Sequence, residues 1–358
     1  MKNPEIITKH IEDFMQSHPH LVENPGLESE VLFELEGDFK KVDKTDVYIH
    51  FLIKIRNEFP STYKRSAGYY DKSIIAWLIA NNRQADIAHY LEYYLKYPVD
   101  FADQLFELVD LLLATDNISP LISLASATLY NLTQSTKIYR GDRIAYPLIW
   151  QTMTKYLQQD FLKKNIADFM NELKIVLDPI EVEINEESLS YWELKFTDIL
   201  KPFTRWPDSI PKKQSQMKNK YEDISNNFGY FLYKSSCISW PAACYYAGIM
   251  LSYFLTYTDM STLKIKVLFD LSEDKIDKIV GSISKKFIWM DSIKVFSLLQ
   301  AIFIFAAYLK ECGNVDEKEM LSIQNSCCKL YKEVYLLQKA EFVETDCFKE
   351  FSLLKLKN

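Results

Sequence analysis

Only 8 glycines occur in the 358 residues of this chain, and no two lie close enough to build a loop that cradles a phosphate. Average usage is about 7%, so roughly two thirds of the expected glycine is missing. Glycine serves positive φ, tight turns and close ligand loops. A chain that does without it reads as long helices joined by short corners. The expected fold class is all-α, with antiparallel helical hairpins stacked into an α-solenoid-like, superhelical array.

Apolar periodicity points the same way. Ile74, Trp77, Leu78 and Asn81 fall on one face of a helix that begins near Tyr69. Ile87, Tyr90, Leu91, Tyr94 and Leu95 mark a second helix, ended by Tyr97-Pro98. Leu105, Leu108, Val109 and Leu112 mark a third, broken at Asp116-Asn117, and Ser119 with Pro120 opens a fourth through Leu132. Each stripe follows the i, i+3, i+4, i+7 spacing of an amphipathic helix. Short corners make neighbouring helices antiparallel. Further helices are expected over 147–159, 165–177, 188–200, 214–233, 241–257, 273–284, 291–311 and 316–340, with Gly313 as a stop signal. Ile180 to Ile184 alternates and reads as a short strand or an extended connector. The stretch Lys201 to Lys213 carries three prolines. It marks a Pro-rich connector at 201–213, between an N-terminal helical-repeat region (1–200) and a C-terminal helical region (214–358).

The two hairpins between Tyr69 and Leu132 resemble tetratricopeptide-like or HEAT-like helical repeats, through their unit size, Trp77 and the Tyr97-Pro98 stop. The glycine and alanine spacing of a tetratricopeptide unit is not reproduced. The resemblance implies a right-handed superhelical stack whose concave face binds another protein. It assigns no residues.

Charge and motif content narrow the function classes. The net charge is −7 and only six arginines occur (Arg56, Arg65, Arg83, Arg140, Arg143, Arg205). Nucleic-acid binding shows a basic patch or stripe, and here lysines are interleaved with acids, so no nucleic-acid partner is expected. The six cysteines include no C-x-x-C pair and read as reduced thiols in a cytoplasmic protein. The charged, amphipathic N-terminus is not a secretory signal. Ser235 to Thr258 carries no charged residue, a length that could span a bilayer. Its Pro241, hydroxyls and tyrosines favour a helix packed on all sides, so a membrane role is not expected.

No nucleotide loop, metalloprotease motif or nucleophile elbow occurs. His10, His18 and His20, and the Asp86-x-x-His89 spacing, offer metal-ligand residue types, but solvated or boundary roles suit them better. No catalytic residue, metal or cofactor is therefore expected. Two candidate binding features remain. Arg140 and Arg143 flank Gly141-Asp142 at the mouth of a helix and could grip a carboxylate or phosphate, although a pairing of Asp142 with either arginine that caps the helix is the preferred reading. Tyr93 and Tyr97 are displaced from the apolar stripe of their helix and could present hot-spot rings on a groove. The function expected is a non-enzymatic scaffold that binds a protein or peptide. The alternatives are a helical small-molecule binder or enzyme with an aromatic/Arg pocket, and an acidic inhibitor or immunity-type protein that masks a basic partner.

Overall fold

The structure is a computed structural model that describes residues 4–17, 35–157, 166–180, 186–200, 214–257, 271–286 and 292–349. Every regular element among these residues is a helix. In chain order they are α1 (Pro4–Ser17), α2 (35–41), α3 (Thr45–Glu58), α4 (Pro60–Arg65), α5 (Ala67–Ala80), α6 (Glu92–Lys96), α7 (Ala102–Ala114), α8 (Ile118–Gln134), α9 (Ala145–Leu157), α10 (Ile166–Leu177) and α11 (Glu186–Ile199). These are followed by α12 (Gln214–Ser235), α13 (Trp240–Tyr257), α14 (Glu273–Lys286), α15 (Ser292–Glu311) and α16 (Glu317–Gln338). Short 3₁₀ segments lie at Gln84–Leu91, Gly141–Ile144, Asp178–Ile180 and Val343–Phe348. The all-α class is thus observed. The alternating stretch 181–184 and the connector 201–213 lie outside the described residues.

The chain divides into two compact units, one of residues 1–111 with 334–349 and the other of 112–333 with 350–358. The divisions fall inside α7 and α16 rather than at the proline-rich stretch. In the first unit α5 is buried almost all round, with Ile74, Ile75 and Ala76 fully covered. A helix that is apolar on every face has to be a central one. The segment Val343–Phe348 closes over it. The Val343 N–H donates to Glu36 Oε1 at 2.7 Å, Cys347 Sγ to the Ala76 carbonyl at 3.2 Å, and Lys40 pairs with Asp346 at 2.6 Å. Val343 and Phe348 are fully buried.

In the second unit α12, α13 and α15 pack around Phe228, Phe305 and Tyr308, whose rings lie 5.0–5.6 Å apart in edge-on and tilted arrangements favoured by aromatic quadrupoles. Among the described residues α15 is the one helix long and apolar enough to cross a membrane, with a mean hydropathy of 1.8, and 83% of that stretch is buried inside the protein. The uncharged run that begins at Ser235 instead supplies α13, whose Trp240, Tyr246 and Met250 are covered by their own unit.

Four helix ends show how the chain turns with so little glycine. Asp43, Asn82, Asp116 and Gly313 all have φ between 55° and 71°. At each one a residue in the left-handed region is followed by a backbone N–H that reaches back five positions, as in Asn117 to Leu112 (2.8 Å) and Asn314 to Leu309 (2.9 Å). This is the Schellman termination. Only one of the four uses glycine. Asn and Asp tolerate the left-handed region better than other non-glycine residues, so the turns that glycine scarcity was expected to remove are present and built from other residues.

One helix differs from expectation. The second rod of the Tyr69–Leu132 region is a 3₁₀ segment (Gln84–Leu91) followed by the short α6. Arg56 donates to the His89 carbonyl at 3.1 Å, an acceptor that a continuous α-helix would offer to Tyr93. Ile87, Tyr90, Leu91 and Tyr94 are buried as the stripe requires, whereas Leu95 and Asn81 are exposed.

Candidate functional site

Gly141 sets the geometry of the first candidate. A Cβ on this residue would lie 2.1 Å from the Leu132 carbonyl oxygen, so only glycine lets the 141–144 turn lie directly on the backbone of α8. The preceding Arg140 adopts a left-handed conformation (φ 61°), and its carbonyl accepts the Arg143 N–H at 3.1 Å. The turn delivers the chain into α9 with Asp142 directed at a cavity of about 280 Å³.

Three helices complete that cavity. Ala145, Tyr146 and Ile149 come from the first turns of α9. Met170, Leu173 and Leu177 fall on one face of α10 at i, i+3 and i+7, with Ile180 beyond its end. Ser188 and Trp192 lie one turn apart on α11. The aromatic walls are held in place by their neighbours. Tyr146 is stacked on Trp150 (5.9 Å, 18°), and Trp192 meets Phe169 edge-on at 5.2 Å. Tyr146 is 40% exposed. Asp142 is the only charged side chain among the described lining residues. The cavity is larger than the ~150 Å³ engineered void that holds benzene and just under the roughly 300–1,000 Å³ of drug-sized sites. Its size suits one bulky side chain.

The second candidate is a polar knot in the first unit. Arg56 of α3 is buried, and its guanidinium reaches His89 Nε2 at 2.7 Å and Glu92 Oε2 at 3.3 Å. A guanidinium only donates, so His89 Nε2 is the acceptor. Tyr90 and Tyr93 lie 5.0 and 5.7 Å from the Arg56 carbon, within cation–π range. Asp71 of α5 is completely buried, accepts from the Tyr63 hydroxyl at 2.7 Å, and lies 3.7 Å from Arg56 Nε. That last separation is too long for a hydrogen bond. Burial therefore outweighs Tyr63 and Arg56 and pushes the Asp71 carboxyl up to about 7. Among the described residues, Arg56 Nε and Asp71 Oδ2 have no hydrogen-bond partner.

Glu36 forms a comparable group. It is buried, accepts from Val343 N–H, and is raised to about 7 by burial and by the neighbouring Glu344, against the pull of Lys72 and Lys40. Lys72 bridges Glu107 at 2.5 Å and Glu344 at 3.4 Å. These charges tie the C-terminal segment to α5.

The residues singled out in the sequence fall around these groups. Arg140 and Arg143 are exposed beside Asp142, and neither lines the cavity. Tyr93 and Tyr97 are half-buried. Tyr93 packs against Tyr63 and Arg56, and Lys64 Nζ lies 4.2 Å from the centre of the Tyr97 ring. The Lys64 hydrogen bond lowers the Tyr97 hydroxyl. Asp86 pairs with Arg83 at 2.7 Å, so Asp86 and His89 point to different partners. His18 and His20 lie outside the described residues. The sequence pairs Asp142 with a flanking arginine as a helix cap, and among the described residues no such side-chain contact is present. Tyr146 and Trp192 of the cavity, and Arg56 and Asp71 of the knot, are not singled out as site residues by the sequence pattern. For the knot a signal existed, since Asp71 and Lys72 stand inside a helix that is mostly apolar.

The chain matches no protein-family model, and neither curated proteins nor solved structures give a match. The functional reading therefore stands on the geometry of this molecule.

Proposed function

We propose that this chain is a non-enzymatic helical scaffold that binds a protein or peptide, with the α9–α11 cavity as the pocket for an anchor side chain. The cavity carries the reading. It is preformed, almost wholly apolar and open beside an exposed tyrosine, the arrangement of a hot-spot pocket. Its volume suits a side chain better than a drug-sized ligand. The small-molecule alternative with an aromatic/Arg pocket has less support, because Arg140 and Arg143 stand beside the cavity without lining it. Stacked helical hairpins are the scaffold class we assign. A reducing cytoplasm suits six cysteines that are all free thiols.

Selection of a displayed random-peptide library on the purified protein tests this. The expected outcome is convergence on sequences with one bulky apolar residue, whose affinity falls at least tenfold on Tyr146→Ala with the helical dichroism unchanged. Selection without convergence, or binders indifferent to Tyr146→Ala, would contradict it.

A further inference from the structure

The cavity has a chemical asymmetry beyond its size. Apart from Ser188 its described walls are hydrocarbon and aromatic, and Asp142 is the only charge among the described lining residues. That carboxylate is exposed, and among the described residues no hydrogen bond or ion pair engages it. Arg140 and Arg143 lie close in sequence but outside the lining. The chain as a whole carries −7. An anchor that enters past Tyr146 therefore meets a free carboxylate at the rim before it meets any cation of the cavity wall.

We infer that the occupant is a peptide segment of a basic partner, in which a phenylalanine-like or tryptophan-like anchor stands directly beside a lysine or arginine that pairs with Asp142. The inference rests on the reading of the cavity as an anchor site. The aromatic ring fills the space between Met170, Leu173 and Trp192, and the flanking cation stays at the wet rim. A charge pair there contributes to partner choice more than to raw affinity, and salt screens it.

Three fluorescein-labelled nine-residue peptides with a central Phe, flanked on both sides by Lys, Gly or Glu, test it by anisotropy with the full-length protein. Lys-flanked peptide is expected to bind about threefold to tenfold tighter than the Gly-flanked one, and the Glu-flanked one weakest. Asp142→Asn should remove the Lys advantage, so that the ratio of Lys-flanked to Gly-flanked affinity falls to about one. Sodium chloride at 0.5 M should do the same. Equal binding of all three peptides, or a Lys advantage that survives Asp142→Asn, overturns the inference and leaves the anchor cavity standing. Binding of none of the three overturns both.

Discussion

The Asp116 carboxylate closes one helix and opens another. Asp116 itself sits in the left-handed position that ends α7, and its side chain accepts the Ser239 N–H at 3.1 Å and the Ser239 hydroxyl at 2.5 Å, where α13 begins. Ser239 Oγ in turn lies 3.3 Å from the Ala242 N–H, the N-cap geometry of a helix start. Burial raises the Asp116 carboxyl, and the two Ser239 contacts oppose that rise. Nearby, the Tyr246 hydroxyl reaches the Ala114 carbonyl at 2.8 Å, so α13 is fastened to the end of α7 at two points.

This pairing separates two substitutions that look alike. Asn82→Gly relieves the left-handed strain at an exposed corner and is expected to stabilise by about 0.5–1 kcal/mol. Asp116→Gly relieves the same strain but removes the acceptor of Ser239, and is expected to destabilise by about 1–2 kcal/mol. Urea unfolding of the two variants checks this. A stabilising Asp116→Gly would show that the Ser239 contact contributes nothing.

Gly141 is required for contact rather than for its φ. Gly141→Ala forces the turn off the Leu132 carbonyl and is expected to destabilise by about 2–3 kcal/mol. The same substitution at Gly248, whose Cβ would meet nothing within 4 Å, is expected to be neutral or stabilising. Thermal melts of the two variants decide whether close approach explains the glycine.

Acid should strengthen the fold. Glu36 and Asp71 are both raised to about 7 from the ordinary carboxylate range, chiefly by burial. Each binds its proton more tightly in the folded than in the unfolded state. That stabilisation is complete below the unfolded carboxylate pKa and is lost as pH rises through about 7. Glu344, Lys72 and Lys40 face Glu36, and Tyr63, Arg56 and Glu92 face Asp71. The urea midpoint is expected to be higher at pH 5.5 than at pH 8, by a stability difference on the order of 2 kcal/mol. Glu36→Gln and Asp71→Asn should each reduce the difference. A higher midpoint at pH 8 would show that the ion pairs, and not burial, govern these carboxyls.

Loss of the buried cation should cost more than loss of the pair. Arg56→Ala leaves Asp71 without its nearest charge and opens a gap between Tyr90 and Tyr93, so a loss of roughly 3–5 kcal/mol is expected. Arg56→Met together with Asp71→Leu should recover most of it. Denaturant unfolding of the single and double variants measures the coupling.

Much of the architecture was legible because helix formation leaves a periodic trace. The starts and ends of α10, α13 and α15 fall within one residue or so of their sequence signals, and Gly313 ends α15 as its position predicts. Scarce glycine accompanies long helices here but not a lack of left-handed turns, because Asp43, Asn82 and Asp116 adopt the backbone that glycine usually supplies. The 3₁₀ course of Gln84–Leu91 was not legible, and the partner of its His89 carbonyl, Arg56, lies 33 residues earlier in the chain. The cavity was not legible either. Tyr146, Leu173 and Trp192 each read as an ordinary packing residue, and only the meeting of three helices turns them into a wall.

Methyl-labelled nuclear magnetic resonance on titration with the Lys-flanked Phe peptide tests the central claim most directly. The account predicts that the largest shifts fall on the methyl groups of Ile149, Met170, Leu173, Leu177 and Ile180, the aliphatic lining of the cavity. Shifts centred on other methyls, or none at saturating peptide, would contradict it.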